Sequence, residues 1–550
     1  MNPAAPRSGL LARMLRNLRP SHQHSALSAT LLLMAAVMLS RLIGFLRESY
    51  IAWAFGAGPV VDAYVDAFTL PDWLNYILAG GTASITFISI FARYIAQGRE
   101  RDAEEAFSST VTIMALVFCF GTLLLEIFTR PIERIMFPGL PMEQLDLCVH
   151  LTRILLPAQI FFYIGGIVSA VMLSQRMFLY PAFSPLLYNV FIILGGLVGA
   201  HTFGIQSLAW GALAGSFIGP FLINAIGAAQ AGLRYHFNLD WRNPAFREWV
   251  RLSIPLMLGV SLVSADDWIL RHFASGGAGD VSRLNYAKRL FLVPIAILGQ
   301  ATGQASLPFF AKLFSEGRLK QFATAVNDSV YRITAASLLA AGLMISAAMP
   351  AVEIAYRHGH FTFHDSETTA AYLVWFSLSL ALWSAQALYA RAFYAAGNTL
   401  TPMVASTLVV LASLPVYATL FHRLDVTGLV IASDIGILMH TIVLAVLLDR
   451  RKLVPLADMQ WLELGKALVT AAAAAIAGYA AAQILPLHGS RRADLLSLAL
   501  VSVTWLVVVV AGLRITRSRL PGELRRRKAV EPNPPPPRER EEWPSGTTEL

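Results

Sequence analysis

The chain has 550 residues, of which 56% are hydrophobic and 14% are charged, and its formal net charge is +9. Soluble proteins carry about 25% charged residues, so this composition excludes a soluble globular protein and predicts a polytopic membrane protein. The cationic excess lies mainly in loops and tails, which indicates membrane topology and lipid headgroups rather than nucleic acid. The two cysteines, Cys119 and Cys148, predict neither a disulfide framework nor a metal cluster.

The first 25 residues contain four arginines and no acidic residue. A signal peptide can begin in this way, but no small-residue cleavage site follows the first apolar run. We therefore interpret residues 1–25 as a basic cytoplasmic tail.

A bilayer core needs about 20 apolar residues per helix, and the hydropathy pattern predicts about fourteen membrane-spanning helices. The expected spans are 26–54, 62–91, 107–129, 147–174, 179–200, 206–232, 248–274, 282–310, 328–356, 367–394, 402–421, 426–449, 463–485 and 493–513. Pro71 with Gly80 and Gly81 interrupts the second span, and Pro294 interrupts the eighth. Such breaks are tolerated where neighbouring protein satisfies the backbone.

The first predicted span carries charged residues within an apolar helix. Arg41 and Glu48 are seven residues apart, about two helical turns, so they share a face, and Arg47 lies beside Glu48. A charged side chain at mid-bilayer costs about 2.5–3.5 kcal/mol and therefore usually faces protein or a watery cavity. These residues predict a polar site inside a helical bundle.

Other charges in the spans are Asp62, Asp66 and Asp72 in the second, Asp266, Asp267 and Arg271 in the seventh, and Lys288 and Arg289 in the eighth. Arginine suits phosphate because its planar fork donates two parallel hydrogen bonds, so one interpretation is a basic site balanced by acids. Two alternatives stay open at this point. Residues near span ends can reach the interface, and an arginine–aspartate pair can simply hold two helices together.

Arginine and lysine are concentrated in alternate loops, beginning with Arg93, Arg99 and Arg101, and again after the last span. Cytoplasmic loops carry such an excess, so we expect both termini on the cytoplasmic side of the membrane and an even number of spans. The segment 516–550 contains a proline run and alternating charges and is expected to be a disordered cytoplasmic tail.

The chain also repeats itself weakly. Phe91–Arg99 resembles Phe310–Arg318, and Arg176–Phe178 resembles Arg391–Phe393, with shifts of 219 and 215 residues. The alternative is that basic residues and glycine simply cluster at inside loops. Parallel repeats recur in transporters, with the substrate site between the halves. The predicted division has five segments: 1–25 and 516–550 as tails, 26–247 as an N-lobe of spans 1–6, 248–455 as a C-lobe of spans 7–12, and 456–515 as spans 13 and 14.

Several familiar chemistries have no motif here. We find no P-loop, no dinucleotide-binding glycine pattern, no HExxH and no GxSxG in a strand–helix context. The histidines His150, His358, His360 and His364 lie at span ends, where a loop position is a simpler explanation than a metal site. We expect no enzymatic activity, no cofactor and no metal.

The first half of the chain contains the runs Ser40-Arg41-Leu-Ile-Gly44-Phe-Leu-Arg47-Glu48, Phe55-Gly-Ala-Gly58, Asp62-Ala63 and Phe68-Thr-Leu-Pro71. The second half contains Leu284-Asn-Tyr-Ala-Lys-Arg289-Leu290 and Arg391-Ala-Phe-Tyr394-Ala395 followed by Thr401-Pro402. Together these runs resemble the MurJ (MviN) family of lipid II flippases over about residues 30–450.

The resemblance implies an all-α fold shared with MATE-type exporters, with two parallel six-helix lobes around a cationic cavity and two extra C-terminal helices. It implies that the cavity is lined by Ser40, Arg41, Arg47, Asp62 and Arg289, and we add Glu48 as a balancing acid. The chain departs from the family where an arginine pair and a following acid are usual, having Asn75, Tyr76 and Gly80, and where a glutamate is frequent, having Leu292.

We therefore predict a multi-pass flippase that moves a polyprenyl-pyrophosphate-linked peptidoglycan precursor (lipid II) across the bacterial inner membrane by alternating access. Arg41, Arg47 and Arg289 would hold the pyrophosphate, and Asp62 and Glu48 would balance them in the empty site. The expected partners are this precursor and membrane lipids, with the cell-wall synthesis machinery as a further candidate and no nucleic acid. The energy source would be the membrane potential or an ion gradient.

Three alternatives stay open. The first is a flippase for another lipid-linked glycan, or a MATE-like drug exporter, which the departures favour. The second is a membrane enzyme acting on polyprenyl-linked sugars, although the longest outside loop, around residues 130–147, is short for one. The third is a scaffold that binds the precursor without transporting it.

Overall fold

The computed structural model describes residues 26–79, 82–175, 177–257, 262–484 and 490–525. The predicted tail 1–25, the glycine pair Gly80–Gly81, Arg176 and most of the predicted tail 516–550 lie outside these ranges. Every regular element of the described residues is helical, which confirms the all-α class.

The elements of the first half are, in chain order, α1 Ala26–Phe55, α2 Pro59–Asp66, α3 Thr69–Ala79, α4 Thr82–Ala96, α5 Glu100–Met136, α6 Met142–Leu155, α7 Ala158–Ser174, α8 Leu179–Phe203, α9 Gln206–Ser216, a π-helical segment Phe217–Ile223 and α10 Asn224–Gln230. Those of the second half are α11 Pro244–Met257, α12 Leu262–Ala274, α13 Asp280–Pro294, a π-helical segment Ile295–Ala301, α14 Thr302–Ser315, α15 Leu319–Ser346, α16 Ala348–Tyr356, α17 Phe363–Leu378, α18 Leu380–Ala395, α19 Leu400–Arg450, a 3₁₀ turn Leu456–Asp458, α20 Trp461–Ala482, α21 Arg491–Ile515 and α22 Leu520–Arg525.

Within the described residues, nine helices are long and apolar enough to cross a membrane, or ten if the bent pair α17 and α18 forms one span. The predicted number of about fourteen is therefore not confirmed. Two predicted spans, 402–421 and 426–449, fall within the single element α19, where Asp425 has a non-helical backbone with φ of 48°. Others are divided into shorter helices, as in the region of α2, α3 and α4.

Proline explains two of these breaks. The interruption predicted at Pro71 lies between the end of α2 at Asp66 and the start of α3 at Thr69. Pro71 itself is in the first turn of α3, where a missing backbone N–H is tolerated. The interruption predicted at Pro294 takes the form of a π-helical segment that begins at the next residue. Proline cannot donate to the preceding turn, and π-helical geometry is a common response to such a lost hydrogen bond.

The largest buried cluster joins the two halves. It contains Ile51 and Tyr64 from the first half and Tyr286, Tyr356 and Tyr417 from the second. A second cluster is formed by helices from α3 to α11, and a third by helices from α14 to α22. Many large apolar side chains are exposed around the bundle, as expected where a surface meets lipid acyl chains.

We call the end of the bundle that is predicted to face outward the outer end, and the opposite end the inner end. Loops of the two halves meet at the outer end. The backbone N–H of His360 donates to the carbonyl of Trp53 at 3.0 Å. A Cβ placed on Gly139 would lie 2.6 Å from the backbone nitrogen of Gly276, so only glycine permits this approach. The outer ends of the two halves are therefore in direct contact.

Two predicted repeat positions at the inner end have the same backbone conformation. Gly98 follows α4 with φ of 70°, and Gly317 follows α14 with φ of 69°. In both cases the residue after the glycine donates to the carbonyl five positions earlier, at 3.0 Å. This pairing is the Schellman type of helix end, which requires a left-handed residue. The division of the chain into lobes at 247 and 455 stays a prediction.

Candidate substrate cavity

The charged face of α1 turns into the bundle at Arg47 and Glu48. Arg47 Nη2 lies 2.5 Å from Glu48 Oε1, and the two side chains are 16% and 6% exposed. Arg47 Nη1 donates to Asn189 Oδ1 of α8 at 3.0 Å. Because a charge inside a membrane bundle needs a partner, this ion pair and its amide neighbour fix the orientation of α1 against α8.

A second arginine reaches the same carboxylate from the other half. Arg289 Nε of α13 lies 3.5 Å from Glu48 Oε1. Asn285, one turn earlier, donates from Nδ2 to Glu48 Oε2 at 3.4 Å. The Arg289 side chain is 43% exposed whereas that of Glu48 is 6% exposed. Glu48 therefore forms ion pairs with arginines of both halves, and part of the Arg289 side chain remains exposed.

Arg271 of α12 supplies a third cation that sequence reasoning did not select. Its Nη1 donates to Thr69 Oγ1, at the first residue of α3, at 2.8 Å. The pattern left open whether a residue so near a span end would reach the interface. The sequence does show a charge within a predicted span at this position. Only the packing of α12 against α3, however, directs Arg271 inward.

These groups surround a cavity of about 260 Å³ between the halves. Its lining residues are Arg47, Glu48, Ile51, Tyr64, Val65, Phe68, Asp72, Tyr188, Arg271, Asn285 and Arg289. Three arginines and two carboxylates give the lining an excess of one positive charge, and two phenols and an amide add neutral donors. The predicted site residues Arg47, Glu48 and Arg289 thus lie together, in a cavity suited to an anion.

Asp62 lies outside this cavity and contacts backbone. It is 2% exposed, and its two carboxylate oxygens accept from the backbone nitrogens of Gly279 and Ser282 at 2.5 and 2.7 Å. Gly279 is the N-cap residue of α13. A carboxylate that accepts from the first N–H groups of a helix stabilises that helix, so Asp62 joins α2 to α13 across the two halves.

Ser40 and Arg41 lie nearer the inner end of α1 and do not line the cavity. Arg41 is six residues from Arg47, about 9 Å along the helix. Its Nη2 donates to Gln300 Oε1 at 3.2 Å in an exposed contact. Arg41 therefore links α1 to the π-helical segment that follows α13, at a position nearer the inner end of the bundle than the cavity.

Lys288 faces away from the cavity although it precedes Arg289 in sequence. Its Nζ pairs with Asp266 and lies 2.5 Å from Asp267 Oδ1. The Tyr417 hydroxyl donates to Asp266 as well. These four residues from α12, α13 and α19 form an ion cluster inside the second half, in which Asp266 and Lys288 are buried and each charge has a partner.

The residues that depart from the family pattern are neutral and engaged elsewhere. Asn75 Nδ2 donates to Gln159 Oε1 at 2.8 Å. The ring of Tyr76 packs edge-on against Trp268 with centroids 5.6 Å apart. Leu292 packs against the largest buried cluster, and Gly80 lies outside the described residues. Arg271, the third arginine of the cavity lining, occupies none of these positions.

A family model described as lipid II flippase MurJ matches residues 51–491 of this chain. The chain belongs to the MurJ family. A relative from Burkholderia cenocepacia named lipid II flippase MurJ is 27% identical over 431 residues, 75% of this chain and 82% of the relative. One from Buchnera aphidicola, described as a probable lipid II flippase MurJ, is 27% identical over 429 residues, 76% of this chain and 83% of the relative.

Solved structures share the fold. A MurJ structure in an inward closed conformation is 21% identical, covers 88% of this chain and 99% of that chain, and superposes with a TM-score of 0.72. An inward-facing MATE-family multidrug transporter is 16% identical, covers 76% and 97%, and has a TM-score of 0.62. The all-α fold shared with MATE-type exporters, which the MurJ resemblance implied, is thus confirmed.

Proposed function

We propose that this protein is a flippase that moves lipid II, a polyprenyl-pyrophosphate-linked peptidoglycan precursor, across the bacterial inner membrane. The observation that carries the proposal is the meeting of Arg47, Arg271 and Arg289 at one cavity between the two halves. Membership of the MurJ family supports the choice of lipid. We infer transport rather than catalysis, with both termini in the cytoplasm.

The cavity chemistry fits a pyrophosphate. Arginine forks bind phosphate oxygens in parallel pairs, which a cation without that geometry cannot do. The volume of about 260 Å³ lies near the lower limit of ligand sites, about 300 Å³. We therefore propose that this closed form of the cavity holds the charged part of the headgroup, and that the sugars and peptide need a more open form.

Glu48 gives the empty cavity an internal anion. It binds both Arg47 and Arg289, so an arriving pyrophosphate competes with Glu48 for the same two guanidinium groups. Because these arginines belong to different halves, the exchange changes a contact across the interface between them. A ligand that interacts differently with two states shifts their populations, so the exchange provides a route to alternating access.

The contacts at the two ends of the bundle support a form that is closed at the outer end. There, Asp62 caps α13 and His360 donates to Trp53. Toward the inner end, α1 and the segment after α13 are joined by the exposed contact between Arg41 and Gln300. We propose that the headgroup enters from the inner side, passing Arg41 before it reaches Arg47.

Complementation tests the proposal. Cells depleted of their own lipid II flippase are expected to grow with the wild-type chain and to fail with Arg47→Ala or Arg289→Ala at equal protein levels. Arg101→Ala is the matched control, because the Arg101 side chain is 92% exposed in the α5 ion pair. Failure of the wild type to restore growth would contradict the choice of lipid II.

A drug exporter is the second candidate, since a MATE transporter shares the fold with a TM-score of 0.62. The same cells discriminate the two, because drug resistance without rescue of growth would favour export. A scaffold that only binds lipid II is distinguished by the variants. Rescue of growth by Arg47→Ala or Arg289→Ala at equal protein levels would be expected of a scaffold and not of a flippase.

A further inference from the structure

Asp66 is a buried acid that the cavity does not use. It is the last residue of α2 and is 0% exposed. Neither of its carboxylate oxygens has a hydrogen-bond partner among the described residues. A buried carboxylate without a partner is far more costly than a buried carboxylic acid, and the negative end of a helix dipole adds to that cost.

A second acid, Glu133, lies close by and shares a hydroxyl with the backbone next to Asp66. The Thr152 hydroxyl contacts both the Ala67 carbonyl, at 3.2 Å, and Glu133 Oε1. A hydroxyl has one proton to donate, and a carbonyl can only accept. The Thr152 hydroxyl donates to Glu133 Oε1 and also lies within 3.2 Å of the Ala67 carbonyl, so its single proton is shared between two acceptors unless Glu133 is itself protonated. The other Glu133 oxygen has no partner among the described residues.

The charged and titratable groups around this pair come from four parts of the fold. Facing Asp66 are Asp62 on the same helix, Glu133 on α5 and Arg271 on α12, and Cys148 on α6 lies against both acids. Arg153 is the cation that acts on Glu133. Like charges that share a buried site cannot all ionise, so at least one of these acids is held neutral by a proton.

Arg271 connects this pair to the cavity. Among the described residues it is the cation that interacts electrostatically with Asp66, and it also lines the cavity between the halves. An anion that binds in the cavity partly neutralises the positive charge of Arg271. Less of that charge then remains to compensate an ionised Asp66.

We propose that Asp66 and Glu133 form a proton-binding site whose occupancy is linked to anion binding in the cavity through Arg271. This inference rests on the proposed function, because the linked anion is the pyrophosphate headgroup. The sign follows from the geometry. Anion binding favours proton uptake at Asp66, and by reciprocity a lower pH strengthens anion binding. The step transfers one proton from solvent to a carboxylate and needs no other reactant.

The test uses the full-length protein in detergent and farnesyl pyrophosphate as the probe. Calorimetric titration in two buffers of different ionisation enthalpy gives the number of protons taken up on binding. We expect more uptake for the wild type than for Asp66→Asn, which mimics the neutral acid. The wild-type Kd should also fall more steeply as the pH is lowered, by up to about tenfold per pH unit for one fully linked proton.

Both proteins are titrated with the same probe, so any proton uptake by the phosphates of the probe is the same in both experiments and cancels when they are compared. Asp146→Asn is the matched control, because Asp146 is an exposed carboxylate paired with Arg130 at 2.8 Å, and it should behave as the wild type. Equal proton uptake by the wild type and Asp66→Asn would overturn this inference and leave the proposed function standing. Absence of binding by the wild type would instead remove the proposed function.

Two further outcomes are decisive. If wild-type binding needs sodium and Asp66→Asn abolishes that need, the acids hold a metal cation and the proton assignment is wrong. If Asp66→Asn does not fold, infrared difference spectra of the wild type decide the matter. A protonated carboxyl band that shifts on addition of farnesyl pyrophosphate is expected, and no such change would refute the site.

Discussion

Lys288 and Arg289 are neighbours in sequence but serve different parts of the molecule. One residue rotates a helix by about 100°, so consecutive side chains on α13 face different surroundings. Lys288 is 10% exposed within the ion cluster of the second half, whereas Arg289 is 43% exposed at the cavity. At the scale of residues, partner and exposure separate a charge that stabilises the fold from one that is free to bind.

Substitution of Arg289 should therefore affect binding more than folding. Arg289→Ala is expected to weaken farnesyl pyrophosphate binding by about tenfold to a hundredfold, since a hydrogen bond to a charged group contributes about 1.5–3 kcal/mol. Calorimetry gives the affinity, and the melting temperature in detergent checks the fold. Arg101→Ala should change neither. An unchanged affinity of Arg289→Ala would show that the cavity arginines do not hold the anion.

At the scale of elements, the breaks in the helices create the site. The turn between α2 and α3 brings Thr69 to Arg271, and the end of α2 leaves the Asp66 carboxyl buried with no hydrogen-bond partner in the described part of the chain. Asp62 on α2 supplies the cap that α13 lacks from its own sequence, because the N-cap residue is Gly279. A continuous helix in place of α2 and α3 would not provide these contacts.

The cap at Asp62 predicts a loss of stability. Asp62→Ala leaves two buried N–H groups of α13 without an acceptor and should lower the free energy of unfolding by about 1–3 kcal/mol. Asp62→Asn keeps one acceptor and should have a smaller effect. Thermal unfolding in detergent measures both, with Asp102→Ala as control, because Asp102 is a surface residue paired with Arg99. Equal stability of wild type and Asp62→Ala would argue against the cap.

At the scale of the whole molecule, the two halves touch closely at the outer end. Gly139 and Gly276 approach so nearly that a Cβ on Gly139 would lie 2.6 Å from the Gly276 nitrogen. Backbone-to-backbone contact of this kind cannot be relieved by a side-chain rotation. The closure of the outer end therefore depends on the close backbone contact of these two glycines.

Gly139→Ala should shift the protein toward forms that are open at the outer end. Spin labels at the exposed positions Val60 and Phe363, in a Cys119→Ser and Cys148→Ala background, report the distance between the halves. We expect a longer distance component for Gly139→Ala. Gly58→Ala is the control, because a Cβ there meets nothing within 4 Å. Distance distributions that do not differ would mean that the outer end adapts without opening.

Energy input also belongs to this scale. Moving one charge across the membrane potential yields about 2.3 kcal/mol per 100 mV, and the cavity lining has an excess of one positive charge. If the potential drives the cycle, lipid II transport in vesicles should slow when the potential is collapsed at constant pH. Undiminished transport would exclude the potential as the energy source and direct attention to the proton linkage at Asp66.

Hydropathy and helical periodicity are local properties, so the amino-acid sequence by itself determined the membrane class, the all-helical fold and the charged face of α1, and its motif runs carried the resemblance to the family. Arg47, Glu48 and Arg289 could be selected in this way. The inward position of Arg271, the capping role of Asp62 and the isolation of Asp66 were decided only by the tertiary structure. Each depends on which helices are neighbours and where a helix breaks, and neither is encoded in the spacing of residues along one segment.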